Sequence, residues 1–244
     1  ARKGSSLVQT KAKSEANLYP RLTEYNGQGY DIFIGNPLSD QVDEGFTGRQ
    51  VVKLTYNEGR RTADGSFYVP NEMYVALDLS CSYATSSKSY SSMSDYQNDL
   101  RVDAQVKGSY NGLIAKASFT ASTAFAKMEN TLSEKEQVSV ITKAHCKLYK
   151  GSLMSTATTL SDDFLEAVRI ANDANTEQAW TEFMYDWGTH YATVVTYGAA
   201  AITQTKFSRS SYEKLMAMDI DVAAAVSAKV GSFKGSASTS VSLS

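Results

Sequence analysis

Two segments of the chain alternate between apolar and polar residues with a period of two. Between residues 100 and 110 the even positions are apolar or small and the odd positions are polar or charged. From residue 113 to 125 the odd positions are the apolar ones, and Asn111 and Gly112 lie between the two runs. Because an Asn-Gly pair flanked by alternating runs is a strong hairpin signal, this segment is predicted to form an amphipathic β-hairpin.

The same segment also fits the period of a helix. Apolar side chains recur there at helical spacing, at Leu113, Ile114, Ala117, Ala121, Ala124, Phe125, Met128 and Leu132. A segment with both periods suits storage as packed helices and later use as a hairpin. An ordinary β-sandwich would also show alternation, but it predicts no helices between residues 85 and 135.

The alternation returns near the end of the sequence. Residues 212–218 are helix-like, and residues 220–230 then alternate with apolar side chains at the even positions. Gly231 and Ser232 form a predicted turn, after which residues 233–243 alternate with apolar side chains at the odd positions. The chain therefore carries two hairpin-coded segments.

A predicted junction of a helix with a strand lies between these two segments. Four large apolar side chains fall on one face of its helix, at Trp180, Phe183, Met184 and Trp187. A capping box of Asn175 and Gln178 is expected to begin this helix, and Gly188 to end it in a left-handed conformation. Residues 191–206 then predict one long strand, interrupted only at Gly198.

Further elements follow from composition and turn signals. Strands are predicted at residues 51–56, 67–69, 74–83 and 137–153. Ser161 is expected to cap a helix that runs to Ala171, with Phe164, Leu165 and Val168 on its buried face. Taken alone, the Ser-rich stretch from residue 84 to 99 would pass for a polar linker, but the alternating runs that follow it argue otherwise.

The junction carries a recognisable motif, which reads Trp187, Gly188, Thr189, His190, Tyr191, six further residues and Gly198. It resembles the signature of membrane-attack-complex/perforin (MACPF) domains, in which a second glycine follows. Ala199 stands at that place here. An ordinary polar turn between a helix and a strand is the alternative interpretation of the motif.

The beginning of the chain adds to the resemblance. A loop of Gly35, Asn36 and Pro37 precedes an Asp-Glu-Gly-Phe element, and this order is similar to that of invertebrate, cnidarian-like MACPF proteins. Those proteins have a proline where Glu44 stands here. The resemblance therefore extends over nearly the whole chain.

The resemblance implies an α+β fold of the MACPF/CDC type. Its centre would be a bent, twisted antiparallel sheet, flanked by helical clusters that can convert to transmembrane β-hairpins. Residues 1–244 would form a single MACPF domain, with a first membrane-inserting segment at residues 84–135 and a second at residues 209–244. Because the sequence stops inside its last alternating run, the second segment is expected to be incomplete and the domain truncated at its carboxy terminus.

The function implied by the resemblance is that of a secreted, cytolytic pore-forming protein. It would form a homo-oligomeric ring on the lipid membrane of a target cell and insert two hairpins per subunit. In a bilayer every backbone polar group needs a partner, so the hairpins of many subunits must close into a barrel. A non-lytic extracellular MACPF protein acting in adhesion, development or egg defence is the alternative.

Such a barrel assigns the two sides of each hairpin. The lipid-facing side would carry Leu100, Val102, Ala104, Val106, Leu113, Ala115, Ala117, Phe119, Ala121, Ile220, Val222, Ala224, Val226 and Phe233. The side facing a water-filled lumen would carry Arg101, Asp103, Lys107, Lys116, Lys229 and Lys234.

Composition and charge exclude several other classes of function. With 42% hydrophobic residues and a net charge of -2, the chain can bury a large core and offers no basic field for nucleic acid. The chain has no run of 18 or more apolar residues, so no transmembrane helix is predicted. His145 and His190 lack a nucleophile or acid at motif spacing, so an enzyme, a metal site, a cofactor and a small-molecule substrate are not expected. His190 is expected to hold its turn through hydrogen bonds.

The sequence contains two cysteines, Cys81 and Cys146. They could form one disulfide or remain two buried thiols. Resemblance to a family of secreted proteins implies the disulfide.

Overall fold

The structure is a computed structural model that describes residues 25–38, 43–78, 85–103, 117–134, 137–156 and 159–231. This part of the chain contains the strands β1 Gln28–Tyr30, β2 Phe46–Gln50, β3 Met73–Leu77, β4 Thr85–Tyr90, β5 Gln137–Leu153, β6 His190–Tyr191 and β7 Val194–Ser208. Its helices are α1 Met93–Asp103, α2 Thr123–Glu129, α3 Asp162–Ala174, α4 Glu177–Trp187, α5 Arg209–Ala217 and α6 Val222–Gly231. A π-helical turn, Asn130–Glu134, directly follows α2.

Strand β5 is the centre of the main sheet. It is 17 residues long and pairs antiparallel with β7 along most of its length. On its other edge it pairs with β4 near its beginning and with β3 near its end. A smaller antiparallel sheet has the order β2-β1-β6. Antiparallel sheets flanked by helices confirm the predicted α+β class, including the long strand expected at residues 137–153.

The two faces of the main sheet carry different helices. Successive residues of a strand point to opposite sides, so Val140 and Ile141 belong to different faces. Ile141 joins a buried cluster that includes residues of α1, the 117–122 turn and α2, namely Tyr96, Leu100, Phe119, Phe125 and Met128. Val140 packs with Phe207 and with two residues of α6, Val222 and Val226. Helices α1 and α2 therefore cover one face, and α6 covers the other.

Aromatic side chains dominate the larger of these clusters. The ring of Tyr96 lies 5.4 Å from that of Tyr90 in an edge-on arrangement and 6.0 Å from that of Phe125. Leu100 and Phe119 are completely buried. Burial of each such side chain stabilises the fold by roughly 1.5–3 kcal/mol, so α1 and α2 are held to the sheet mainly by apolar contact.

The ladder of β5 and β7 contains one irregularity, at Gly198. Lys147 pairs with Gly198 and Tyr149 with Tyr197, so Leu148 is an extra residue that bulges from β5. A Cβ atom at Gly198 would collide with the carbonyl oxygen of Cys146. Strand β7 runs through Gly198, so the predicted interruption there is wrong, and the bulge in the neighbouring strand takes its place.

Several predicted strands have different bounds in the structure. The strand expected at residues 51–56 is absent because its backbone donors reach separate partners: Val51 and Val52 donate to Gly27 O, and Lys53 donates to Thr159 O. Residues 67–69 contribute only an isolated bridge between Tyr68 and Arg61. The strand expected at residues 74–83 is β3, which ends at Leu77, and residues 79–84 lie outside the described part of the chain.

Two helix predictions also need correction at their ends. Ser161 caps α3 as expected, accepting from Phe164 N–H at 3.2 Å, but α3 continues to Ala174. Asn175 closes α3 in the left-handed conformation, so Thr176 rather than Asn175 caps α4. A residue whose backbone is left-handed at the end of one helix cannot also have the extended backbone of an N-cap.

The buried arcs of α3 and α4 are narrower than predicted. Leu165 is 50% exposed and Met184 is 44% exposed. The two helices contact each other through aromatic rings. The ring centroid of Phe164 lies 5.6 Å from that of Phe183 and 5.2 Å from that of Trp187. Leu165 and Met184 lie outside this contact because each helix packs on only one side.

The described residues between 85 and 135 contain α1, α2 and the π-helical turn. The β-sandwich alternative, which requires an absence of helices there, is therefore wrong. The Ser-rich stretch is part of the fold, since β4 pairs with β5 and α1 begins at Met93. On β4, Ser87 and Ser89 belong to the face of Val140, whereas Lys88 and Tyr90 belong to the face of Ile141.

Gly198→Ala is expected to lower the free energy of unfolding by about 1 to 3 kcal/mol, because the added methyl group forces β5 and β7 apart. Urea unfolding followed by circular dichroism measures this loss. The control is Ala199→Gly, which adds only backbone freedom and is expected to cost under about 1 kcal/mol. An unchanged urea midpoint for G198A would contradict the close approach of the two strands.

Candidate functional site

The predicted motif begins where α4 ends. Gly188 has φ 76° and ψ -178°, a conformation that is open to glycine and strained for other residues. It is not the left-handed helical conformation that was predicted, although φ is positive as expected. The Gly188 N–H donates to Met184 O at 2.8 Å, and a Cβ atom here would lie 2.6–2.7 Å from backbone atoms of Tyr30. Glycine therefore lets the end of α4 lie directly against β1.

Thr189 and His190 attach the motif to β1. The Thr189 N–H donates to Tyr30 O at 3.0 Å, and Thr189 Oγ1 accepts from the Ile32 N–H at 3.1 Å. The same hydroxyl lies 2.9 Å from His190 Nδ1. His190 and Tyr191 pair with Tyr30 and Gly29 in the small sheet. This geometry gives His190 a hydrogen-bonded place in the turn, in agreement with the role expected from the sequence.

Trp187 is the apolar anchor of the motif. Its side chain is buried, its ring lies 5.2 Å from that of Phe164, and the Arg49 guanidinium lies 5.5 Å from the ring centroid. Arg49 also forms an ion pair with Asp186 at 3.1 Å, which holds the guanidinium over the ring. The motif thus joins α4, α3 and the small sheet into one packed corner.

Sequence reasoning missed Tyr30, against which Gly188, Thr189 and His190 all lie. Its hydroxyl donates to Asp43 Oδ2 at 3.0 Å and its ring lies 5.0 Å from that of Phe46. Burial, with a further contribution from Asp43, raises the pKa of Tyr30 far above its ordinary value. The signal in the sequence was the density of glycines, because a Cβ at Gly35 or Gly45 would strike the Tyr30 ring.

The first hairpin-coded segment is described in part. Leu100 and Phe119 are buried, Val102 is 70% exposed, and Ala117 and Ala121 are exposed. Residues 104–116, with the predicted positions Ala104, Val106, Lys107, Leu113, Ala115 and Lys116, lie outside the described residues. Leu100 and Val102 do not share one face of α1, because residues two apart on a helix lie about 200° apart around its axis.

Charged side chains fasten α1 to the sheet. Asp99 accepts from Lys88 Nζ at 2.6 Å and from Tyr90 Oη at 2.7 Å. One turn later Asp103 forms an ion pair with Lys143. Burial lowers the pKa of Lys143, and it raises that of Tyr90 with help from Asp99. Of the predicted lumen residues, Arg101 instead donates to Ser118 Oγ at 3.2 Å and to Asn98 Oδ1 at 3.1 Å.

The second hairpin-coded segment begins with α5 and α6. Val222 and Val226 are one helical turn apart and both are buried against the sheet. Ala224 is exposed between them and Ile220 is 38% exposed. The side chain of Lys229 and the residues Phe233 and Lys234 lie outside what the structure describes. Two predicted lipid-facing positions are thus brought together on α6, and Ala224 and Ile220 are separated from them.

The structure bears in part on the predicted disulfide, on metal ligands and on membrane-spanning helices. Cys146 lies in β5, but Cys81 lies outside the described residues, so their disulfide stays a prediction. The described residues contain no group of three or more His, Cys, Asp or Glu side chains suited to a metal ion. Among them no helix has both the length and the apolar character needed to cross a bilayer.

A comparison with protein families decides the classification. The model of the MAC/Perforin domain matches residues 15–244. The chain belongs to the MACPF family. The resemblance to MACPF domains is thereby confirmed.

The chain is similar to several solved structures. A MAC/Perforin-domain protein of Bacteriodes thetaiotaomicron, whose name assigns it to cell invasion, matches with a TM-score of 0.53 at 13% identity over 82% of this chain and 39% of its own. GNIP1Aa from Chromobacterium piscinae matches with a TM-score of 0.44 at 19% identity over 72% of this chain and 31% of its own.

A third similar structure is that of Astrotactin-2, a vertebrate-specific, perforin-like membrane protein involved in neuronal development. Its TM-score is 0.43 at 13% identity, over 82% of this chain and 64% of Astrotactin-2. This MACPF chain therefore spans less than two thirds of the length of each of the three proteins.

Thr189→Val is expected to lower the free energy of unfolding by about 1 to 3 kcal/mol, because the Ile32 N–H loses its acceptor inside the corner of the MACPF motif. Thr189→Ser keeps the hydroxyl and is expected to stay within about 1 kcal/mol of the parent. Thermal unfolding followed by circular dichroism compares the two. Equal losses for both variants would show that the hydroxyl has no part in holding the corner.

Burial lowers the pKa of His190 from its ordinary value of 6.5, and Asp31 partly opposes this. Below pH 6.5 the unfolded chain therefore binds a proton more readily than the folded one, and the free energy of unfolding is expected to fall as the pH drops. His190→Gln should flatten this slope between about pH 5.5 and 7 in thermal unfolding. Burial also lowers the pKa of His145, so a residual slope is expected to remain in the variant. A slope that is unchanged in H190Q would contradict the assignment.

Proposed function

We propose that this MACPF chain acts in a secreted pore-forming protein that assembles a ring on a target membrane and inserts two amphipathic hairpins per subunit. The observation that carries the proposal is a conflict between pattern and conformation. Both segments alternate with a period of two, yet their residues 100–103, 123–125 and 222–231 lie in helices. The soluble fold makes no use of that alternation.

Val102 illustrates the conflict. It is 70% exposed on α1, where an apolar side chain contributes little to stability, whereas Leu100 is completely buried. In a strand both side chains point the same way. Ala224 and Val226 of α6 have the same relation, the first exposed and the second buried. The pattern therefore fits a second conformation in which these positions share one apolar side.

A bilayer is the environment that fits such a side. Each alternating run is about as long as a membrane-crossing strand, for which roughly 9 to 11 residues suffice. Hairpins in a bilayer must close into a barrel, because open strand edges would leave backbone groups without hydrogen bonds. The proposal therefore requires a homo-oligomeric ring and a target lipid membrane, with the lipid-facing and lumen-facing positions as predicted from the sequence.

The proposal also includes the division of the chain into segments. We take residues 84–135 and 209–244 as the two inserting segments of one MACPF domain. Secretion and the disulfide of Cys81 with Cys146 belong together, since disulfides persist in oxidising surroundings. The mechanism uses no catalytic residue, metal, cofactor, nucleic acid or small-molecule substrate.

The neighbouring residues Ala224 and Ala225 offer a matched test. Both are exposed on α6, but the alternation assigns Ala224 to the lipid-facing side and Ala225 to the lumen. In the full-length protein, Ala224→Arg is expected to reduce dye release from liposomes at least tenfold, because an arginine facing lipid costs about 2–4 kcal/mol per chain near the membrane centre. Ala225→Arg is expected to release dye as the parent does.

Two controls make the comparison decisive. Equal thermal unfolding of both variants would show that the soluble fold is intact, and liposome flotation measures binding separately from leakage. Equal dye release from A224R and A225R would contradict insertion of this segment as a strand. A parent protein that binds and assembles on liposomes without any leakage would favour the non-lytic role instead.

A further inference from the structure

The two faces of the main sheet hold their helices by different chemistry. On the face of α1, Ile141 and Tyr90 belong to the aromatic cluster, while Lys88 and Lys143 bind the carboxylates of α1. Helix α1 is thus fixed by apolar burial and by two ion pairs at once. The side chain of Lys143 is only 15% exposed, so its ion pair is weakly screened by water.

The face of α6 is poorer in such contacts. Its apolar cluster has four buried residues: Val140, Phe207, Val222 and Val226. Residues 222–228 carry no charged side chain, so this stretch of α6 cannot form an ion pair with the sheet. The register also places the buried Val138 on this face, together with five hydroxyl residues: Ser87, Ser89, Thr142, Thr203 and Thr205.

The hydroxyls on this face are not all satisfied. Ser87 Oγ and Thr142 Oγ1 are 2.6 Å apart and hydrogen-bonded across the β4–β5 ladder. Ser89 Oγ and Thr203 Oγ1 are buried without a hydrogen-bond partner in the described part of the chain. Ser89 lies on β4, the strand against which α6 packs most extensively. A buried hydroxyl without a partner destabilises the closed arrangement and regains its hydrogen bonds when water reaches it.

We propose that α6 leaves the sheet before α1 does, and that the unpaired Ser89 hydroxyl beneath α6 sets how readily this first step occurs. The order matters only if the segments redeploy, so the biological meaning rests on the proposed function. The physical claim concerns the soluble protein alone. Opening of α6 would free the second segment while Asp99 and Asp103 still hold the first.

Hydrogen exchange of the soluble protein, followed by mass spectrometry, measures each opening without any membrane. Peptides covering residues 222–231 are expected to exchange at least tenfold faster than those covering residues 93–103, after correction for intrinsic rates. Because no vesicle is present, a failure here is separate from a failure of dye release.

Two serine variants on the same strand and face test whether the unpaired hydroxyl controls the opening of α6. Ser89→Ala removes the unpaired hydroxyl and is expected to slow exchange in α6 about tenfold. Ser87→Ala removes a paired one and leaves the Thr142 hydroxyl, in a residue that is 1% exposed, without a partner. It is expected to speed exchange in α6 by a similar factor.

The order of the steps has its own test on the opposite face. Asp99→Asn weakens the contacts to Lys88 and Tyr90 and is expected to speed exchange in α1 several-fold, while exchange in α6 changes less than about twofold. If α6 opens first, its opening does not depend on how tightly α1 is held. Equal protection of the two helices, shifts of the same sign in S89A and S87A, or an equal response of both helices to D99N would each overturn the proposal.

Discussion

The antiparallel ladder between β5 and β7 is the constraint on which the rest of the molecule depends. It places alternate residues of β5 on two opposite faces, and each face receives the helices of one alternating segment. If β5 slipped by one residue, Ile141 and Val140 would exchange faces and both clusters would lose their partners. The bulge at Leu148 and the missing side chain of Gly198 fix this register, since the strands approach too closely there for any other residue.

The MACPF motif supports the ladder from one side. The Thr189 N–H donates to the Tyr30 carbonyl and Gly188 lies against the Tyr30 backbone, and these contacts orient the chain as it passes from α4 through β6 into β7. The motif is thus a structural device in this conformation, with its histidine paired to a hydroxyl and its tryptophan buried. The motif position with the least freedom is Gly188, because a Cβ atom there would lie 2.6–2.7 Å from backbone atoms of Tyr30.

Much of this arrangement could be predicted from the sequence, where local rules decide the outcome. The motif, the strand at residues 137–153 and the cap at Ser161 depend on neighbours in the chain. The choice of Thr176 as the cap, the exposure of Leu165 and Met184, and the role of Tyr30 depend on contacts with distant residues, which periodicity cannot supply. The placement of α1 and α6 on opposite faces depends on the register of β4 on β5. For residues 100–125 and 220–230 the sequence supports two periods, and only the surroundings decide between them.

The central claim is that these segments are helical in solution and become pleated strands in a membrane. A polarity-sensitive fluorophore, attached in turn to single cysteines at each position from residue 222 to 228 of the full-length protein, tests it most directly. After liposomes are added, the account predicts a blue shift that alternates from one residue to the next, strongest at Val222, Ala224 and Val226. A pattern that repeats every three to four residues, as the helix does, or spectra that do not change on membranes, would contradict the account.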